Sequence, residues 1–120
     1  MITLKLRLMV NLRDVFYYPD VMVACTREGA EEYYLRYPKL IVEVLSESTE
    51  SIDRREKLLN YPTISTLAEY ILIAQDAPDI TLHRRETHWR PTVLTAKDAK
   101  VEFPSLKLSL PLAQIYEGVL

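Results

Sequence analysis

The sequence predicts a single mixed α/β domain with a largely antiparallel sheet and flanking helices. Residues 2–10 alternate apolar and polar side chains, the period of a half-buried strand. Residues 40–45 form a near-continuous apolar run of the kind covered on both faces, and a helical segment follows directly. Residues 69–103 then read as short strands separated by polar turns, before a last amphipathic stripe.

With 120 residues, the chain is long enough for one core and too short for two. Hydrophobic residues make up 48% of it and glycine contributes only 2 positions, a composition that favours packing. A formal net charge of −2 argues against a strongly basic nucleic-acid binder, whose affinity comes from phosphate neutralisation. An enzyme that holds nucleic acid locally and briefly stays compatible with it. The single cysteine, Cys25, excludes an internal disulfide and reads as a buried, inert thiol in a reducing, cytoplasmic setting. The alternating N-terminus is neither a signal peptide nor a membrane span.

In chain order, the first strand over 2–10 is followed by a turn and by the apolar segment 15–18. Pro19 suits a strand start or edge because it has no ladder donor, and residues 20–25 form a short strand opening on Asp20. Residues 26–37 are charged and rich in tyrosine, a long hairpin loop closing at Pro38, in which Tyr33, Tyr34 and Tyr37 cover the sheet or stack on bases. The apolar strand over 39–46 lies at the sheet centre. A helix over 51–61 starts among serine and threonine hydroxyls, carries Asp53 and Glu56 in its early turns and stops before Pro62. Asp53, Lys57 and Tyr61, spaced by four, share one face of it.

Strands are then expected over 69–75, 80–86, 89–95 and 100–103, the first two joined by a tight turn. Pro111 opens a final helix whose Leu112, Ile115, Tyr116 and Val119 form an apolar stripe. The only histidines, His83 and His88, have no cysteine cluster beside them, which speaks against zinc. Arg84, Arg85 and Arg90 suit phosphate contact or, more simply, a solvated hairpin.

Chemistry concentrates on Glu43, an acid inside the apolar run 40–45. Burying it ionised costs several kcal/mol unless a cation or hydrogen-bond donors compensate it. Its expected partners are a metal shared with Asp20 and the ammonium of Lys57 from the following helix. Strand parity puts Asp20, Met22 and Ala24 on one face and Ile41, Glu43 and Leu45 on one face, so pairing of the two strands makes the carboxylates converge. Two carboxylates, with the Val44 carbonyl as a further oxygen, suit magnesium, with manganese as a substitute. Such an ion supports phosphodiester hydrolysis, with Lys57 orienting the water or steadying developing charge.

The ordered set YPD, IVEVLS after a loop, and D-x-x-x-K-x-x-x-Y resembles the signature of the Uma-type endonuclease family, a branch of the PD-(D/E)XK, or restriction-endonuclease-like, nuclease superfamily. The likeness continues through LAEYILI, the strands around Trp89 and IYEGV. It implies a restriction-endonuclease-like core and a magnesium-dependent endonuclease acting on DNA, with Asp20 and Glu43 as metal ligands. The superfamily lysine two residues after the acid is Leu45 here, and the resemblance assigns its role to Lys57. The family pattern also has a helical region before the first strand, whereas this chain starts almost at the strand. That departure implies an N-terminally shortened domain with one sheet face bare. It motivates a homodimer, and an alternative function as a catalytically impaired remnant serving interaction or oligomerisation.

Overall fold

A computed structural model of the chain describes residues 2–4, 7–10, 15–17, 19–24, 34–35, 37–45, 50–75, 77–95 and 100–116, with side chains from 19–24, 37–45, 55–75, 77–95 and 100–116. Its principal sheet has six strands: β1 (Ile2–Leu4), β4 (Val21–Val23), β6 (Leu40–Leu45), β7 (Glu69–Ala74), β8 (Asp79–Arg84) and β9 (Pro91–Thr95), adjacent in that order. Only β6 and β7 run parallel, and every other neighbouring pair is antiparallel. A parallel pair needs a crossover. Here it contains α1 (Glu50–Asn60) and a 3₁₀ turn, Tyr61–Thr63.

The expected strand over 2–10 divides in two. β1 joins the main sheet, while β2 (Arg7–Val10) forms a separate three-stranded sheet between β3 (Val15–Tyr17) and β5 (Tyr34–Leu35). Alternation along a sequence specifies which side chains share a face, not which partner each half takes, so the division leaves no mark in the pattern. The expected long loop over 26–37 contains β5, paired parallel to β2. Cys25, Tyr33 and the side chains of Asp53 and Tyr34 lie outside the described residues, as does Val119.

Both faces of the main sheet carry a buried cluster. On one face Met22, Ile41 and Leu45 pack with Tyr61, Leu67, Tyr70 and Leu72. On the other, Val23, Leu40, Ile71 and Leu82 pack with Val101, Phe103, Leu112 and Tyr116. The second cluster lies under the hairpin of β10 (Lys100–Phe103) and β11 (Leu108–Pro111) and under α2 (Leu112–Ile115). β11 was not expected. Pro111 ends it, paired with Lys100, and also caps α2, which starts at Leu112 where the sequence expects a helix. The expectation of a bare sheet face is therefore not met among the described residues.

Candidate active site

Glu43 is the fourth residue of β6 and only 5% exposed. Its neighbours at two-residue spacing, Ile41 and Leu45, belong to the cluster with Tyr61 and Tyr70, so its carboxylate leaves the sheet on that face. Helix α1 crosses there. Lys57, in the last turn of α1, donates from Nζ to Glu43 Oε1 at 2.8 Å. The cationic end of Lys57 at that terminus also suits the partial negative charge of the helix carbonyls.

Two phenols complete the shell of Glu43. The Tyr61 hydroxyl donates to Oε1 at 3.3 Å and the Tyr70 hydroxyl to Oε2 at 2.8 Å. The two rings meet edge to face at 4.8 Å, and the Tyr70 ring stacks on His83 at 5.9 Å. Their hydroxyls are oriented by packing, so the donors do not have to be ordered afresh for each other. The side chains of Lys57 and Glu43 are 13% and 6% exposed, which makes this a largely desolvated ion pair. Such a pair specifies geometry more than it stabilises, but removing one member leaves a buried charge without compensation.

Asp20 sits one residue before β4. The register Val21↔Val42 and Met22↔Ile41, continued by one residue, puts Asp20 across from Glu43. Asp20 Oδ2 accepts a hydrogen bond from the Val44 N–H at 2.8 Å. The Val44 side chain is 48% exposed and, by alternation, lies on the face opposite Glu43. Of the residues expected from the sequence, Glu43 and Lys57 therefore touch, and Asp20 is tied to the backbone next to Glu43.

Tyr70 was missed as a site residue. A tyrosine inside an apolar strand needs a partner for its hydroxyl. Its pairing with Ile41 puts it on the face of Glu43, a relation set by the parallel register and not by either strand alone. His83 Nδ1 lies 2.8 Å from the Trp89 carbonyl, and among the described residues no three His, Cys, Asp or Glu side chains converge. Arg85 is structural. Its guanidinium donates to the carbonyls of Leu67, Ile64 and Pro62, and lies 4.9 Å from the Trp89 ring. Residues 85–88 and Arg90 are exposed, as a solvated hairpin would have them, and Arg85 also ties that turn to the backbone of 62–67.

Comparison with known proteins bears on this arrangement. The Uma2 family model, described as "Putative restriction endonuclease", matches residues 2–113. The chain belongs to the Uma2 family. Two proteins from Synechocystis sp. (strain ATCC 27184 / PCC 6803 / Kazusa) are similar to it. The uncharacterized protein slr1290 is 35% identical over 104 residues, 84% of this chain and 54% of the relative. The uncharacterized protein sll1609 is 32% identical over 108 residues, 86% of this chain and 61% of the relative. The chain thus spans between half and two thirds of the length of these curated relatives.

A crystal structure of "a putative nuclease belonging to DUF820" from Anabaena variabilis ATCC 29413 superposes with a TM-score of 0.74 at 22% identity, covering 99% of this Uma2 chain and 69% of that one. This chain therefore shares the mixed α/β fold of that protein. Among the described residues, no helix is long and apolar enough to cross a membrane.

Proposed function

We propose that this Uma2 domain is a magnesium-dependent endonuclease that hydrolyses DNA phosphodiester bonds, with Asp20 and Glu43 holding the metal and Lys57 assisting the attacking water. The observation that carries the reading is the buried acid at the sheet centre, Glu43, with the Lys57 ammonium at 2.8 Å and Asp20 bonded to the N–H of the next residue.

The donor set fits a hard cation. Two carboxylates and a backbone carbonyl are all oxygen ligands, and magnesium characteristically takes one or two carboxylates and keeps several waters. Asp20 accepts the Val44 N–H through Oδ2, which leaves Oδ1 for another partner in this reading. In an extended strand the N–H and C=O of one residue leave the chain on the same side, so the Val44 carbonyl faces the edge where Asp20 lies. Glu43 accepts three side-chain donors, whereas a carboxylate offers about four lone-pair sites.

When bound, magnesium polarises a phosphoryl oxygen and lowers the pKa of a water. Tyr61 and Tyr70 fix the plane of the Glu43 carboxylate through both of its oxygens. Lys57, held on the same carboxylate, would put its ammonium beside the reacting phosphate and donate to the charge that develops there. The apolar cluster around Met22, Ile41 and Leu72 keeps water from the inner side of the site and strengthens those interactions.

Purified protein incubated with supercoiled plasmid and magnesium or manganese tests this reading. Nicking by wild type that disappears in Glu43→Ala supports it. Equal trace nicking by both proteins rejects catalysis.

One observation favours a second reading, a non-catalytic interaction or oligomerisation module that has kept the fold. Glu43 is satisfied by the chain's own Lys57, Tyr61 and Tyr70, so its burial is explained without a metal. On this reading the domain is a homodimer and magnesium leaves its melting temperature unchanged. Sedimentation and a thermal shift with magnesium decide between the two. In either case we place the protein in the cytoplasm, where its single cysteine stays reduced.

A further inference from the structure

The Glu43 carboxylate is heavily engaged by the chain's own donors. Lys57 Nζ at 2.8 Å and the Tyr61 hydroxyl at 3.3 Å both donate to Oε1, and the Tyr70 hydroxyl donates to Oε2 at 2.8 Å. A carboxylate oxygen accepts about two such bonds, so Oε1 is filled and Oε2 keeps one position. Asp20 and Glu43 would therefore share a divalent ion through a carboxylate that already carries an ammonium. The side chains of Lys57 and Glu43 are 13% and 6% exposed, so little water screens the repulsion between two cations on that one group.

The three donors differ in how readily they yield. Tyr61 is fully buried and Tyr70 is 1% exposed. Their rings meet edge to face at 4.8 Å, and Tyr70 also stacks on His83, whose Nδ1 lies 2.8 Å from the Trp89 carbonyl. Moving either phenol means opening the close-packed cluster that includes Met22, Ile41, Leu67 and Leu72. Lys57 differs from both. It reaches Glu43 from the last turn of α1 on a flexible four-carbon stem, and its side chain is more exposed than either tyrosine. Withdrawing its ammonium breaks a charge-assisted hydrogen bond and leaves the ring pair in place.

We infer that Lys57 is a latch on the metal site: its ammonium competes with a divalent ion for Glu43 and lets go of Oε1 when the ion enters. The inference rests on the magnesium-dependent reading of the site and adds its regulation. Tyr61 and Tyr70 stay on the carboxylate throughout and hold its plane while its cation changes. Metal binding thus carries a built-in penalty, the loss of the Lys57 bond to Glu43. The same exchange frees the ammonium for a substrate phosphate only once the ion is in place.

Manganese affinity of wild type, Lys57→Met and Lys57→Arg, read by electron paramagnetic resonance, tests the latch. Lys57→Met binds manganese about tenfold to a hundredfold more tightly than wild type, the affinity equivalent of a charge-assisted hydrogen bond that no longer has to be broken. Lys57→Arg keeps the charge and shows no such gain. A second measurement needs no variant: saturating manganese raises several-fold the rate at which Lys57 of wild type reacts with an amine-acylating reagent, mapped by mass spectrometry. Lys57→Met binding manganese no more tightly than wild type overturns the latch, as does a Lys57 acylation rate indifferent to saturating manganese. Manganese bound by wild type and weakened in Asp20→Asn would then still uphold the metal site, so the latch fails by itself. Absence of manganese binding in both wild type and Lys57→Met rejects the metal site and the latch together.

Discussion

Replacing Lys57 with methionine removes the only side-chain cation bonded to Glu43 among the described contacts while keeping most of the stem volume. Glu43 then retains the Tyr61 and Tyr70 hydroxyls, but its charge stays in a site where its side chain is 6% exposed. Breaking a buried pair in this way costs about 3–5 kcal/mol, and the two remaining phenols put the expectation near the lower value, about 3 kcal/mol. For a domain of this size that loss lowers Tm by about 12 °C. Urea unfolding at neutral pH measures it, with the slope checked so that a change in the denatured state is not mistaken for one in the native state. Glu43→Gln combined with Lys57→Met removes both charges and restores most of the loss, because the neutral amide accepts from one tyrosine hydroxyl and donates to the oxygen of the other. Magnesium adds a second expectation. If Asp20 and Glu43 share the ion, Lys57→Met recovers about 2.7 kcal/mol when magnesium is a hundredfold above its Kd. A Lys57→Met protein within about 0.5 kcal/mol of wild type refutes the reasoning, since surface pairs cost no more than that.

Other substitutions separate the contributions. Tyr70→Phe leaves Glu43 Oε2 without its 2.8 Å donor and costs about 1–3 kcal/mol in chemical denaturation, without altering the packing of the ring. Asp20→Asn preserves an acceptor for the Val44 N–H, so its unfolding free energy stays within about 1 kcal/mol of wild type. Arg85→Ala frees the carbonyls of Leu67 and Ile64 and uncovers Trp89, so the mutant loses about 2–4 kcal/mol and its tryptophan emission shifts to the red.

Much of the main sheet was legible because its strands carry strong local patterns. The apolar run of β6, the strand β7 and the alternating β8 lie within a residue or two of where periodicity puts them, and α1 ends before Pro62 as expected. The pairing of Glu43 with Lys57 was legible for the same reason: a buried acid demands a cation, and the next helix offers one at the right distance along the chain. What escaped depends on relations between segments. The split of residues 2–10 between two sheets, the parallel register that brings Tyr70 to Glu43 and the conversion of 108–111 into a strand each arise from a partner remote in sequence. The basic run 84–90 is largely exposed as its charge suggests, but the carbonyls that Arg85 also satisfies belong to a segment remote in sequence and left no local sign.

The central claim is that Asp20 and Glu43 jointly hold a divalent ion beside Lys57. Manganese titration followed by electron paramagnetic resonance, on wild type, Asp20→Asn and Glu43→Gln, tests it without relying on turnover. One tightly bound ion in wild type, weakened at least about tenfold in each variant, is the predicted result, because each removes one of two carboxylate ligands. Equal manganese binding by all three proteins, or none by wild type, contradicts it.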